Sequence, residues 1–311
     1  AAGFLRFPNL EGYSTVWMAD SSAQLEAGSA LPGLSRRPQN PKPSRDVASK
    51  ADACAQTIVQ LLADGEESDA DSHLTRSVQD FKRASCKAFY HSVINSCAKI
   101  GAASAAVWCA VRMVRVGLKP NIVTFNALLN GCSSSGDVCL ANELWELALE
   151  LDLTPNSITY NTMMKVGVQA EDVELAKHWF EKMLAEGIET CTVSFRTLIT
   201  AFGRLGMLGE AELWFSKMLK MRVAPDAAIF NSMISMSAKA GAPARAEYWF
   251  DQMEQHGSKP DEQTYNSLIH GHAKQGAVDR AESWYRLMEQ EGCRADHVTF
   301  GSLINACAKA G

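Results

Sequence analysis

The sequence lacks any apolar run approaching the roughly 18 residues that a membrane-spanning helix needs. It also lacks an excess of positive charge, with 30 Lys and Arg against 35 Asp and Glu for a formal net charge of −5. A partner held chiefly by bulk positive charge, such as duplex DNA bound without sequence preference, is thereby disfavoured, although a local basic row can still meet phosphates. There is no CxxC pair, and nine cysteines make an odd count. Nothing here suggests a disulfide framework, and a reducing compartment is the plain reading. No Gly-rich phosphate loop occurs, nor the HxE with PCxxC pattern of a zinc deaminase. Carboxylates are plentiful but irregularly placed, and no catalytic site emerges.

What the chain does have is enough apolar material, 47% of 311 residues, to bury a sizeable core. Its prolines are unevenly spread, with Pro8, Pro32, Pro38, Pro41 and Pro43 all among residues 1–48. That segment cannot sustain a helical or strand period and is expected to be disordered or linker-like. Residues 49–86 read as weakly helical, a degenerate repeat or a cap. Within them 50–63 forms an amphipathic helix, the acidic run Asp64, Glu66, Glu67, Asp69 and Asp71 a solvated linker, and about 73–85 a second helix. The chain opens with Ala1 and stops at Gly311 inside the pattern described next, so it is expected to be a piece of a longer protein.

From residue 87 onward the sequence repeats every 35 residues. An aromatic recurs as Tyr90, Phe125, Tyr160, Phe195, Phe230, Tyr265 and Phe300, without a slip in register. Alanine recurs as Ala106, Ala141, Ala176, Ala211, Ala246 and Ala281. Tryptophan occupies Trp179, Trp214, Trp249 and Trp284, with a methionine four residues on each time. Glycine breaks most units at mid-length (Gly101, Gly136, Gly206, Gly241, Gly276), and Pro120, Pro155, Pro225 and Pro260 mark unit ends. Each unit reads as two helices. Tyr265, Leu268, Ile269 and Ala273 lie on one helical face, Gly276 ends that helix, and Ala281, Trp284, Tyr285 and Met288 line the inner face of the second. Small alanines let paired helices approach. Neither helix buries its apolar face alone, so neighbours must stack into an all-α, right-handed superhelical solenoid.

The period separates this array from tetratricopeptide repeats, whose units are about 34 residues long with differently placed Trp, Gly and Tyr. Units here open with IVTFNALLNG, SITYNTMMK, EQTYNSLIHG or HVTFGSLINA and close with LKPN, LTPN, VAPD or SKPD. In these features the chain resembles the pentatricopeptide repeat (PPR) family, of the class with uniform 35-residue units. The resemblance covers 87–311. It gives six full units, 87–121, 122–156, 157–191, 192–226, 227–261 and 262–296, and a truncated seventh, 297–311. There are departures: unit 157–191 has Glu171 for the central Gly and Thr190 for the terminal Pro, and Cys109 and Leu144 stand in the Trp column of the first two units.

The resemblance implies sequence-selective binding of single-stranded RNA, one base per repeat, without cofactor or metal. The fifth and last residues of each unit would read the base edge. The fifth residues are His91, Asn126, Asn161, Arg196, Asn231, Asn266 and Gly301, and the last are Asn121, Asn156, Cys191, Asp226, Asp261 and Asp296. The second residues, Ala88, Val123, Ile158, Val193, Ala228, Gln263 and Val298, would pack on base faces. An Asn at the fifth place carries both a donor and an acceptor, and an apolar neighbour excludes water from a clamped base. By the family's pairings Asn–Asp favours uracil, while Asn126–Asn156 and Asn161–Cys191 favour a pyrimidine. His91–Asn121 and Arg196–Asp226 fall outside the usual pairs, and the reading is 5′-N-Y-Y-N-U-U-3′. Such proteins act in organellar RNA processing, stability, editing or translation, which places this one in a mitochondrion or a chloroplast.

A basic column, Lys99, Arg204, Lys239, Lys274 and Lys309, recurs eight residues after the fifth position. It either meets the RNA backbone or simply answers the dipole at each helix C-terminus, and the sequence leaves both open. Cys97, Cys132 and Cys307 share a column that reads as small buried side chains facing the next helix. His270 and His272 lack a third ligand at a standard spacing. The Trp column lies on second helices and reads as core rather than as a base platform. Two rivals remain: a peptide-binding scaffold of helix pairs, and an enzyme whose catalytic domain lies beyond Gly311. The apolar face of the last helix predicts either that more protein follows or that the chain self-associates.

Overall fold

The computed structural model describes residues 45–79 and 83–310, so the expectation for residues 1–44 lies outside them. Among the described residues there are fifteen α-helices and no strand. Two helices, α1 (Arg45–Ala63) and α2 (Glu67–Val78), precede the periodic region. First helices of the repeats are α3 (Arg83–Lys99), α5 (Ile122–Ser135), α7 (Ser157–Gln169), α9 (Thr192–Arg204), α11 (Ala227–Lys239), α13 (Glu262–Lys274) and α15 (His297–Ala310). Second helices are α4 (Ala103–Arg115), α6 (Val138–Glu150), α8 (Val173–Ala185), α10 (Leu208–Lys220), α12 (Pro243–Gln255) and α14 (Val278–Gln290). The chain divides into two compact units, with the division between Trp179 and Phe180 inside α8.

Each unit is a stack of helix hairpins. In the first, α1 packs on α3, α3 on α5 and α5 on α7; in the second, α9 packs on α11, α11 on α13 and α13 on α15. The backbones of consecutive first helices thus approach closely. Those of consecutive second helices do not, and large aromatics span the wider gap. Phe180 meets Trp214, Phe215 meets Trp249 and Phe250 meets Trp284, each edge-on with ring centroids 4.9 Å apart. The same rings reach the aromatic of the following first helix: Phe180 to Phe195, Phe215 to Phe230 and Phe250 to Tyr265, at 5.1–5.8 Å. In the second repeat Trp145 fills this role, 4.5 Å from Trp179, while Leu144 takes the neighbouring Trp column. The Ala column and the Met column (Met183, Met218, Met253, Met288) are wholly buried, which seats the hairpins tightly.

The two turns of each repeat need left-handed backbone. Gly276 (φ +71°) donates its N–H to Ala273 O and Ala277 N–H reaches His272 O, closing the first helix in the manner of a Schellman cap. Glu171 departs in sequence from this column but not in conformation, keeping φ +60° despite its Cβ. A non-glycine side chain is disfavoured there by about 1–2 kcal/mol, partly offset by the entropy that glycine loses on folding. Glu171→Gly is therefore expected to raise stability by about 0.5–1 kcal/mol, seen as a higher urea midpoint at unchanged slope.

Three expectations are corrected. Helix α1 begins at Arg45, so the linker-like segment does not extend to residue 48. Of the acidic run, only Asp64 and Glu66 lie in an exposed connecting turn. Glu67 and Asp69 open α2, where a helix N-terminus favours negative charge, Asp71 follows within it, and the helix spans 67–78 rather than 73–85. Asp71 and Glu67 both pair with Arg112 of α4, at 2.7 and 3.2 Å, and Glu67 also accepts from Trp108 Nε1 at 2.9 Å. In the cysteine column Cys97 and Cys132 are fully buried, but Cys307 on α15 is exposed, because no further helix among the described residues covers it.

Candidate nucleic-acid interface

The last residue of each repeat is also the N-cap of the next first helix. Asn121, Asn156, Asp226 and Asp261 stand in extended backbone at the caps of α5, α7, α11 and α13, and their side-chain oxygens accept N–H groups from the first turn. Asp296 does the same for α15, accepting from Val298 and Thr299 amides at 2.9 and 3.0 Å. The Thr299 amide is the main reason its carboxyl is held below the usual range. Capping fixes Asn156, Asp226, Asp261 and Asp296 beside the fifth residue of their own repeats, 30 positions earlier.

In the second unit Asn231 Nδ2 donates to both carboxylate oxygens of Asp261, at 3.1 and 3.0 Å. Asn266 Nδ2 reaches Asp296 Oδ1 at 3.4 Å. Arg196 donates to Asp226 Oδ2 at 2.9 Å, a half-exposed ion pair that occupies the same place with a different chemistry. In the first unit Asn126 Nδ2 reaches Asn156 Oδ1 at 3.4 Å. Asn161 is buried in α7, and Cys191 stands at the N-cap of α9, 3.7 Å from Ser194 Oγ. Gly301 on α15 has open space around it and offers no side chain.

His91 ends differently: its Nε2 lies 2.9 Å from Thr124 Oγ1. Burial, with Lys87 adding to it, lowers its pKa to about 4. A ring that titrates near 4 when folded and near 6.5 when unfolded favours the folded state fully above pH 6.5. That contribution is lost as pH falls from 6.5 toward 4. It is on the order of 2 kcal/mol after allowance for partial exposure. His91→Asn is therefore expected to flatten this part of the pH dependence, read as urea midpoints at pH 7 and pH 4.5.

The second residues flank this row on the open side. Val123, Ile158 and Val298 are 48%, 60% and 47% exposed, a costly placement for apolar side chains without a partner. Ala228 is exposed as well, Gln263 breaks the apolar column, and Ala88 and Val193 are half-buried. Between α11, α13 and the start of α15 runs an open cleft of about 620 Å³, lined by Lys239, Asp261, Asn266, His270, Asp296 and Val298, among others. Fifth, last and second residues thus converge on one groove along the first helices of the second unit.

Two members of the basic column bond to helix C-termini, across a repeat boundary that the dipole reading did not include. All five cations are exposed at helix ends, but Lys274 Nζ donates to Lys239 O at 2.7 Å and Lys309 Nζ to Lys274 O at 3.0 Å. Each of these two lysines caps the C-terminus of the previous repeat's first helix, so its charge meets that dipole as well as its own. His272 is buried against Glu247, at 3.0 Å, rather than forming a ligand set with exposed His270. Among the described residues no group of three His, Cys, Asp or Glu could hold a metal ion.

Sequence reasoning also missed the third residue of four units. Thr124, Thr159, Thr264 and Thr299 are wholly buried, and each hydroxyl touches the fifth residue of the preceding repeat. The signal was present as the Thr two places before Asn, His91's counterpart, in IVTFN, SITYN and EQTYN.

A stack of two-helix, 35-residue repeats within each unit defines a helical-repeat protein. Family comparisons make the class specific. The PPR repeat family matches residues 225–274 and 260–309, the pentatricopeptide repeat domain matches 110–170, and the PPR repeat matches 158–188 and 193–223. The chain belongs to the pentatricopeptide repeat family. Among solved structures it is similar to the pentatricopeptide repeat protein PPR10 from maize, at 22% identity and a TM-score of 0.56 over 77% of this chain and 39% of that one. The structure of PPR10 in complex with an 18-nucleotide psaJ RNA element aligns at 22% identity and 0.50, over 76% and 40%. Nuclear protein-only RNase P 2 from Arabidopsis thaliana aligns at 14% and 0.50, over 58% and 41%. At these identities the likeness is one of fold, and the chain spans about two fifths of the length of each of these structures. A comparison with curated protein sequences finds no match.

Proposed function

We propose that the chain binds single-stranded RNA sequence-selectively, one base per repeat, in the service of organellar RNA processing, stability, editing or translation. The observation that carries this reading is the recurrence of one polar pair in three hairpins, Asn126–Asn156, Asn231–Asp261 and Asn266–Asp296, with Asp261, Asn266 and Asp296 lining an open groove of the second unit. An Asp carboxylate accepts the N3–H of uracil, and a neighbouring Asn N–H donates to a uracil carbonyl. An Asn in place of the Asp is both donor and acceptor and so admits either pyrimidine. Exposed Val123, Ile158 and Val298 supply the apolar surface on which base faces pack. The basic column lies at the helix ends, where its cations can attract phosphates while holding neighbouring carbonyls. PPR10, a protein of the same fold, is bound to an RNA element in one of the similar structures, which supports the same partner class here.

The test is selection from a random single-stranded RNA pool, with duplex RNA and single-stranded DNA as competitors. The expected result is a 5′-N-Y-Y-N-U-U-3′ core in chain order. Binding without base preference would remove the code and keep the RNA. Absence of RNA binding by folded, monodisperse protein would transfer the function to a peptide-binding scaffold.

A further inference from the structure

We propose that the buried threonine at the third place of three repeats, Thr159, Thr264 and Thr299, is a positioning residue that sets which end of the preceding repeat's reading amide faces the base. The inference deepens the RNA reading above and rests on it for its selectivity arm. Thr264 Oγ1 donates to Asn231 Oδ1 and Thr299 Oγ1 to Asn266 Oδ1, both at 2.6 Å, and Thr159 Oγ1 donates to Asn126 Oδ1 at 2.8 Å. Every one of these links joins residues 33 apart, across the boundary between two repeats. A base-reading unit is therefore a trio drawn from two hairpins rather than a pair drawn from one.

The chemistry follows from the two ends of an amide. Asp261 is a carboxylate and accepts only, so it attracts the N–H end of Asn231. The Thr264 hydroxyl has one proton and two acceptors in reach, Asn231 Oδ1 at 2.6 Å and Asp261 Oδ1 at 2.9 Å, and the shorter contact gives it to the other end of the amide. With Oδ1 held by the threonine, the end of this 5%-exposed amide that lies beside Asp261 is its N–H end, not its carbonyl. The expectation that the fifth-position Asn offers both a donor and an acceptor is thereby narrowed to a donor, and the acceptor comes from the capping Asp. That donor–acceptor set complements uracil, which has a carbonyl beside an N–H. It opposes cytosine, whose ring N3 is an acceptor facing the carboxylate. The threonine itself is fixed, since its oxygen accepts the Asp261 backbone N–H at 3.1 Å and it is wholly buried. The repeat that carries Arg196 makes the contrast: Ile229 stands in the threonine's place, and Arg196, which has no acceptor end to be turned, pairs with Asp226 unaided.

The experiment uses the full chain and synthetic single-stranded RNAs that carry U or C at either of the two final positions. Thr264→Val is expected to reduce U-over-C discrimination about tenfold at the base read by Asn231, on the scale of a single base contact. It should leave the next base, read through Asn266 and Thr299, unchanged, which separates positioning from general unfolding. Thr264→Ser keeps the hydroxyl and should keep discrimination, and Thr299→Val should move the loss to the adjacent base. A second readout needs no RNA: the Asn231 side-chain amide protons, followed by NMR, should exchange and average faster in Thr264→Val than in wild type or Thr264→Ser. Full discrimination in folded Thr264→Val, or an equal loss in Thr264→Ser, overturns the proposal. If wild-type protein shows no base preference, the RNA reading fails instead, and the amide resonances then decide the positioning role by themselves: unchanged exchange in Thr264→Val overturns it.

Discussion

Phe215→Ala is expected to cost about 3–5 kcal/mol of stability, the range for emptying a buried aromatic site. Phe215 is 4% exposed and bridges three helices, meeting Trp249 at 4.9 Å and Phe230 at 5.6 Å. The backbones of α10 and α12 do not approach closely enough to close the space left behind, so the cavity stays open. In a repeat array each hairpin is stabilised by its neighbours' interfaces, and removing one interface also weakens coupling between the parts on either side. The urea transition followed by circular dichroism should therefore fall in midpoint and broaden. A sharp transition displaced by less than about 1 kcal/mol would show that the bridging aromatics are dispensable.

The second large effect is on selectivity. Replacing both Asn231 and Asn266 by threonine, with Asp261 and Asp296 retained, is expected to move the preference at two adjacent bases from uracil to guanine. A threonine is shorter than an asparagine and opens room for a purine, while each Asp still accepts from the base, now through guanine N1–H and N2–H. The family's pairing pattern points the same way. Each position should change by about 1–3 kcal/mol, and the two should add because each base meets its own trio. Equilibrium binding to four RNAs, UU, UG, GU and GG at those positions, reads the result directly. An unchanged order of affinities in folded double variant would refute the assignment of these residues to base reading.

Much of this architecture was legible in the sequence because a solenoid is nearly one-dimensional. Each repeat packs on its neighbours, so a column of equivalent residues in sequence is a row of equivalent contacts in space. The Ala and Met columns are buried throughout for that reason, whereas the aromatic and Trp columns lose their cover toward the last helix, where Trp284 is half-buried and Phe300 is 48% exposed. Legibility failed where one residue serves two repeats. Fifth and last residues were read as two ends of one unit, whereas the last residue is held by capping the following helix and the fifth by the following threonine. The acidic run at 64–71 failed for a related reason. Its later members belong to α2, where Glu67 and Asp71, still 60% and 48% exposed, pair with Arg112 across more than 40 residues.

The sequence by itself determined the period, the two helices per repeat, the faces they bury and which columns are polar. These properties depend on residue type and spacing along one helix, and local physics fixes them. Only the tertiary structure decided what each polar group does. Stacking places Asn231, Asp261 and Thr264 within hydrogen-bond reach, and it turns Lys274 and Lys309 toward carbonyls of the previous helix. A hydrogen bond depends on distances of a few tenths of an ångström between residues some thirty positions apart, and no period in a sequence carries that information.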